Sequence, residues 1–295
     1  MTDASPRVLT QRDFDRFAAL SRDDNPIHCD PAFARGTHFG ATVAHGMFLF
    51  SLLCAHSWRQ LPGPALPVGQ TLMFPTPAFV GDAMQVALAP LADRPAGLAG
   101  WQATVAVAGA AGEVPRITAV GESHWLADAD PGRLASLPAE GAALPAAAGD
   151  AALYGLRPGQ EASAKRTFGA VDIDEYVALT GDANPYHADP AFAHARGFGG
   201  PVVPLPLLAG MFSDLLGTRL PGRGTGWMKQ SLRLASAARL DEPLMAQVRI
   251  VRLRAGKDLV NLASVVTGAD GRVVVQGESL VLVRNLKDKG EGQAA

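Results

Sequence analysis

The feature that most constrains this chain is a twelve-residue segment that occurs twice. The segment DDNPIHCDPAFA starts at Asp23 and DANPYHADPAFA starts at Asp182, and nine of the twelve positions are identical. The same spacing of 159 residues relates Asp82 to Asp241 further along the chain. A repeat at a fixed spacing indicates a duplicated structural unit. The 295 residues therefore predict two copies of one structural unit.

Each copy shows the same order of predicted elements. A long apolar helix follows the motif, at about 43–56 and 204–216, and strand-like runs separated by turn residues come after it. Thr10 and Asp13 resemble a helix-capping pair, and Ala269-Asp270-Gly271 is typical of a hairpin turn. An amphipathic helix precedes each motif, with these residues on its apolar face: Phe14, Phe17, Ala18 and Leu20, then Ile173, Tyr176, Val177 and Leu179.

The copies are separated by a stretch rich in Ala, Gly and Pro that lacks apolar periodicity, which is typical of a linker. We therefore predict an N-terminal unit at 1–127, a linker at 128–152 and a C-terminal unit at 153–286. The tail after Asn285 is expected to fray.

Charge and cysteine content exclude several classes of protein. The net charge is −2, only 18% of residues are charged, and there is no long basic block, so we expect no binding to nucleic acid or to an anionic membrane surface. Two cysteines, Cys29 and Cys54, do not make a disulfide framework, and no secretory signal is visible, which favours a cytoplasmic protein.

The uncharged window between Arg35 and Arg59 is long enough to cross a bilayer, but it contains three histidines. We expect a helix enclosed by protein there, and no membrane partner.

The repeated motif suits acid–base chemistry on water. In each copy an Asp lies five residues before a His, with Asn-Pro between them, and proline restricts both itself and the preceding residue, so we expect a rigid loop rather than a helix. Such a loop can direct the carboxylate and the imidazole at one water molecule. The candidate catalytic residues are Asp23 and His28 in the first copy and Asp182 and His187 in the second. A purely structural turn is the alternative for a single loop, and two copies carrying the same His weigh against it.

Other kinds of site are less consistent with the residues. A metal site at His28 with Asp23 or Asp30 is possible, but each motif offers one His and no Cys-rich or His-x-x-x-His spacing accompanies it, so we predict no metal. No Gly-x-Ser-x-Gly motif occurs, and Cys54 lies inside the apolar helix, which argues against a nucleophilic enzyme. No glycine-rich phosphate loop follows a strand, and we therefore predict no nucleotide cofactor.

The copies differ beside the motif. Ala44-His45-Gly46-Met47 opens the first apolar helix, where free N–H groups and a glycine suit a carbonyl that gains negative charge, although a packing glycine is equally consistent. The second copy has Pro204-Leu205-Pro206 at this place, which removes the glycine and two donors. Conversely, the first copy has Arg22 before its Asp where the second has Gly181. Arg22 either lowers the pKa of Asp23 or points to solvent.

The segments FAALSRDDNPIHCDPAFA with VAHGM, and YVALTGDANPYHADPAFA, resemble the hydratase 2 motif of R-specific enoyl-CoA hydratases, the MaoC-like dehydratases. The resemblance covers both halves. It implies an α+β class tandem (double) hot-dog fold, in which a long central helix of each unit is wrapped by a curved antiparallel sheet. It also implies reversible addition of water to a trans-2-enoyl-CoA to give the R-3-hydroxyacyl-CoA, with the acyl-CoA as substrate and no other cofactor.

Carried over residue by residue, the resemblance implies that the motif Asp and His hold the water, one accepting its proton and the other delivering a proton at the α-carbon. Gly46 would supply the oxyanion N–H, and Asn25 and Asn184 would support their loops at the substrate. Which half is active stays open, because the second keeps Thr-Gly-Asp and the first keeps Ala-His-Gly.

Two other functions are also consistent with the sequence. One is a hot-dog thioester hydrolase or a dehydratase acting on acyl carrier protein. The other is a non-catalytic acyl-thioester-binding protein. Two hot-dog units in one chain already supply the pairing that single units gain by dimerising, so we expect a monomer or a homodimer.

Overall fold

The computed structural model describes residues 6–109, 114–137 and 148–289. Its helices are α1 (Gln11–Ser21), α2 (Pro26–Cys29), α3 (Pro31–Arg35), α4 (Gly46–Ser57), α5 (Pro131–Ala135), α6 (Ala170–Thr180), α7 (Pro185–Ala188), α8 (Pro190–Ala195) and α9 (Leu205–Thr218). Its strands are β1 (Arg7–Val8), β2 (Ala65–Met73), β3 (Ala83–Pro90), β4 (Ala99–Val107), β5 (Arg116–Ala127), β6 (Ala148–Gly149), β7 (Glu161–Arg166), β8 (Gly226–Leu234), β9 (Leu244–Arg254), β10 (Leu259–Gly268) and β11 (Val273–Leu282).

One sheet runs through both halves of the described chain. Its strand order is β1-β3-β4-β5-β2-β8-β11-β10-β9-β6, with β7 also paired to β9. The halves join where β2 and β8 pair antiparallel, with Thr71 opposite Ser231. The join puts the elements of one half within reach of the motif of the other.

The long helices α4 and α9 form the centre of the molecule. Helix α4 is apolar on every side, and all of its residues except Gly46 and His56 are buried. A helix without a polar face is stable only when protein surrounds it, as predicted from the uncharged window. Among the described residues, no helix has both the length and the apolar character needed to cross a membrane.

Helix α1 forms for the reasons its sequence indicates. Thr10 and Asp13 make a reciprocal capping box, and the predicted apolar face is buried. Helix α6 starts in the same way, with the Asp172 side chain accepting from the Gly169 amide. The predicted hairpin turn also lies between β10 and β11.

The motifs are not loops throughout, which corrects the expectation from proline. Pro26 and Pro185 begin the short helices α2 and α7. Proline is favourable at the first helical position, because its fixed φ suits a helix and that position has no helical N–H bond to lose. The first apolar helix also starts later than predicted, at Gly46, since Val43 forms a bridge to Phe79. The second starts at Leu205, close to the predicted position.

The predicted linker at 128–152 includes described and undescribed residues. Its described part contains α5, with Leu134 buried, and β6, which pairs parallel with β9. Residues 138–147 of the linker and 290–295 of the tail lie outside the described residues. The division into two units and a linker stays a prediction.

Candidate active site

The first motif is placed by the end of α1 and the start of α2. Helix α1 ends at Ser21, Arg22 turns the chain with φ of 66°, and the chain then runs inward through Asp23. Gly181 makes the same turn in the second motif with φ of 75°. Arg22 is exposed, so of the two expectations for it the solvent-facing one is correct. Because Pro26 starts α2, His28 lies on one helical turn beside Asp23.

In the first motif the side chains of Asp23 and His28 face each other without a direct hydrogen bond between them. His28 Nε2 lies 3.9 Å from Asp23 Oδ2. His28 Nδ1 donates to the Val43 carbonyl at 2.7 Å, and since a carbonyl only accepts, the neutral ring has a bare Nε2. Two acceptors at this separation suit a bridging water molecule.

Burial sets the protonation of the pair. It raises the pKa of Asp23 to about 7, against the opposing effect of a hydrogen bond from Ser213 Oγ at 2.5 Å. Burial also lowers the pKa of His28 to about 4. Near neutral pH the imidazole is therefore uncharged, and Asp23 is poised between carboxylate and carboxylic acid.

The pair opens into a cavity of about 370 Å³. A volume of this size is within the range of small-molecule sites. Both halves line it, and its wall includes Asp23, Asn25, His28, Gly46, Phe74, Ser213 and Trp227. As the first residue of α4, Gly46 has an amide with no acceptor in its own helix, and the His45 side chain does not cap it.

Asn25 fastens the first motif to the opposite half. Its Oδ1 accepts from the Gly224 amide at 3.0 Å, and its Nδ2 donates to the Thr225 carbonyl at 3.2 Å. In the second motif Asn184 Nδ2 donates to the Ala65 carbonyl at 2.8 Å. Both asparagines therefore hold their loops across the join.

The second motif has the same residues in a closed setting. His187 Nε2 donates to the backbone carbonyl of Asp182 at 2.6 Å, which occupies the nitrogen that His28 leaves bare. Asp182 Oδ2 accepts from Tyr176 OH at 2.9 Å, and burial raises the pKa of this carboxyl. The Tyr176 position is Phe17 in the first half. The cavity that Asp182 and His187 line together is only about 10 Å³, with Pro204 and Pro206 in its wall. A separate cavity of about 310 Å³ touches His187 from the side of α6 and does not include Asp182.

The role of His45 was not predicted from the sequence. Its ring stacks on His28 with the centroids 3.7 Å apart, and its Nε2 donates to the Asp23 carbonyl at 3.0 Å. A comparison of the two copies would have pointed to His45, because Pro204 stands at the equivalent position of the second copy.

Three side chains of the first site have the chemistry to bind a metal ion: Asp23, His28 and His45. One donor atom from each lies within 4.8 Å of the others, so a second His joins the one expected from the motif. His28 Nδ1 and His45 Nε2 both donate to carbonyls, which leaves His28 Nε2, His45 Nδ1 and the carboxylate as the available lone pairs. Three donors are fewer than a structural zinc site uses but equal the number in a catalytic zinc site. The absence of a metal therefore stays a prediction from the sequence.

Residues 2–95 and 153–268 match the MaoC-like domain. The chain belongs to the MaoC-like domain family. An (R)-specific enoyl-CoA hydratase from Aeromonas caviae is 37% identical over 126 residues, which are 43% of this chain and 94% of that relative. This confirms the resemblance drawn from the two motifs.

Two solved structures match nearly the whole chain in fold. A MaoC-like dehydratase superposes with a TM-score of 0.72 at 17% identity, covering 95% of this chain and 96% of the other. A Mycobacterium tuberculosis protein described as a double hotdog fold superposes with a TM-score of 0.67 at 14% identity, covering 95% and 96% of the two chains. The predicted double hot-dog fold is confirmed.

Proposed function

We propose that this chain is a hydro-lyase that adds water reversibly to a trans-2-enoyl thioester, giving the R-3-hydroxyacyl thioester, and that the first motif performs the reaction. The observation that carries the proposal is the Asp23–His28 pair, whose facing acceptor atoms open into a cavity of about 370 Å³. Membership of the MaoC-like family and the similarity to a named hydratase support the reaction class.

The atoms of the first site suggest how each step proceeds. A water molecule between Asp23 Oδ2 and His28 Nε2 donates to both, which aims its oxygen at the β-carbon of the enoyl group. As the new C–O bond forms, the water proton passes to the pair, and a proton passes from the pair to the α-carbon. Since the pKa of Asp23 is about 7 and that of His28 about 4, the proton taken from water rests on Asp23, which starts as the carboxylate, until it passes to the α-carbon.

The start of α4 is suited to stabilise the charge that this addition creates. Water attack at the β-carbon moves electron density onto the thioester oxygen, forming an enolate. The Gly46 amide at the first turn of α4 can donate to that oxygen, and the aligned peptide dipoles of the helix add to the effect. In the second half Leu205 stands at the position of Gly46, so the glycine is lost, and the next residue, Pro206, has no N–H to donate.

Matched variants of the two motifs test the proposal. Asp23→Asn is expected to lower kcat for hydration by about 10²- to 10⁴-fold, measured as loss of enoyl-thioester ultraviolet absorbance. Asp182→Asn is the control and is expected to keep activity within about threefold. Activity lost in Asp182→Asn and kept in Asp23→Asn would place the chemistry in the second motif. Full activity in the double variant would refute the mechanism.

The same assay separates the rival functions. Enoyl-CoA and enoyl-acyl-carrier-protein substrates of equal chain length reveal the carrier, and chiral analysis of the product tests the R configuration. Release of free thiol without hydration would indicate a thioester hydrolase. Saturable binding without turnover of any substrate would indicate a non-catalytic binding protein.

A further inference from the structure

The contacts of His45 assign it a task in the first site. The residue is fully buried at the start of α4, and it touches both members of the Asp–His pair. Its ring stacks on His28 at an interplanar angle of 25°, and Phe17 packs against it at 5.1 Å between centroids. This packing fixes the position of the ring.

The hydrogen bond from His45 satisfies a buried backbone group. Its Nε2 donates to the carbonyl of Asp23, and Asp23 is almost completely buried. A buried carbonyl that accepts no hydrogen bond lowers the stability of the fold. A stable loop therefore needs a hydrogen-bond donor beside the Asp23 carbonyl.

The second half shows what happens when that donor is missing. Pro204 stands where His45 would be, and a proline side chain cannot donate. The equivalent carbonyl, that of Asp182, is satisfied by Nε2 of the motif residue His187 itself, at 2.6 Å. In this arrangement the motif imidazole carries its proton on Nε2, and that atom no longer offers a lone pair.

We propose that His45 is a positioning residue: by donating to the Asp23 carbonyl in place of His28, it leaves His28 Nε2 unprotonated and free to hold water. The inference rests on the proposed function for its effect on catalysis, but its effect on His28 is a property of the site alone. Two further contacts hold His28 in the orientation in which Nδ1 carries the proton. They are the stacked ring of His45 and the Val43 carbonyl, which accepts from Nδ1.

The test uses His45→Ala, His45→Gln and the control His56→Ala in the full chain. Glutamine places an amide N–H near the position of imidazole Nε2, so it keeps the donor and loses the ring. His56 is a half-buried histidine on the same helix, outside the site. Nitrogen-15 NMR of the histidine rings, assigned with His28→Asn, reports which nitrogen of His28 carries the proton.

We expect the Nδ1–H form of His28 in the unmodified chain, in His45→Gln and in His56→Ala, and the Nε2–H form in His45→Ala. For hydration we expect kcat to fall by about 10- to 100-fold in His45→Ala with KM changed by less than about threefold, and His45→Gln to recover most of the loss. A folded His45→Ala protein in which His28 keeps the Nδ1–H form would overturn the proposal. So would a His45→Gln protein in which His28 takes the Nε2–H form.

The two readouts separate the two proposals. If the unmodified chain has no hydratase activity but His28 changes its protonated nitrogen in His45→Ala, the proposed function fails and the positioning role stands. If activity is present and the nitrogen does not change, the positioning role fails and the proposed function stands.

Discussion

Arg16 and Glu175 occupy equivalent positions in the two halves of the chain and bind each other. Nε and Nη2 of Arg16 donate to the two carboxylate oxygens of Glu175 at 2.7 and 3.0 Å, and the residues are 159 positions apart, the spacing of the repeat. Equivalent residues meet only near the pseudo-twofold axis, where α1 packs on α6. Two identical charges there would repel each other, and the chain has opposite ones.

Reversing one of these charges is expected to destabilise the join. Arg16→Glu places two carboxylates together and should lower the free energy of unfolding by about 1 kcal/mol, a modest value because both side chains are about one-third exposed. The exchange Arg16→Glu with Glu175→Arg should recover most of that loss in urea unfolding. A double variant no more stable than Arg16→Glu alone would contradict the pairing.

Ser213 is expected to set the pH at which the enzyme becomes active. Its hydroxyl donates to Asp23 Oδ2 and favours the carboxylate, so Ser213→Ala should raise the pKa of Asp23 further. Because the proposed mechanism uses the Asp23 carboxylate, the rising limb of kcat/KM with pH should move to higher pH by about half to one unit. The matched control is Cys54→Ser at the equivalent place in the first half, which lies beside Asp182 of the second motif and should leave the limb unchanged. An unmoved limb in Ser213→Ala would show that another group controls it.

Gly46→Ala is expected to obstruct the cavity. A Cβ atom there would lie 2.9 Å from Phe74 Cζ, so the aromatic ring must shift within the site that it lines. We expect kcat/KM for hydration to fall by about tenfold or more, since a displacement of about 1 Å in a reacting pair is costly. Gly63→Ala is the control, because its Cβ would meet no atom within 4 Å. Equal activity of the two variants would contradict the assignment of Gly46 to the site.

The two stacked histidines are expected to weaken the fold in acid. Burial lowers the pKa of His28 to about 4 and that of His45 well below 6.5, whereas the unfolded chain takes up protons at about 6.5. Each histidine therefore contributes stability that is present above pH 6.5 and is lost as the pH falls below it. The raised pKa of Asp23 acts oppositely, with stability gained as the pH falls from about 7.

Replacing one histidine isolates its share of this effect. His45→Gln removes one titrating group and leaves Asp23 and His28 in place. From pH 7 to pH 5 the unmodified chain should lose about 1–2 kcal/mol more free energy of unfolding than the variant. Parallel losses in denaturant titrations at the two pH values would contradict a neutral, buried His45.

The parts of the molecule that were predictable from the sequence are those set by short-range chemistry. The pair Thr10 and Asp13 predicts the start of α1. The repeated motif predicts two candidate Asp–His sites, because the same side chains recur at a spacing of 159 residues. The prediction that proline keeps the motif free of helix was wrong for a reason that is also local. Proline is favourable at the first position of a helix, and Pro26 occupies that position in α2.

The choice between the two motifs depends on contacts that sequence order does not show. Ser213 reaches Asp23 from 190 residues away, and Trp227 from the second half lines the cavity of the first. His45 gains its importance only when α4 folds against α2 and stacks two rings that are 17 positions apart. The sequence difference between His45 and Pro204 was visible, but its meaning required the carbonyl that each arrangement must satisfy.

The pairing of β2 with β8 also has an evolutionary consequence. In a homodimer of single units, one gene encodes both sites, so each substitution appears in both and must suit both. Here the two units are one chain joined in one sheet, and a mutation alters one site at a time. Selection can therefore keep one motif for folding while it changes the other for a substrate, and neither site has to meet the demands of symmetry.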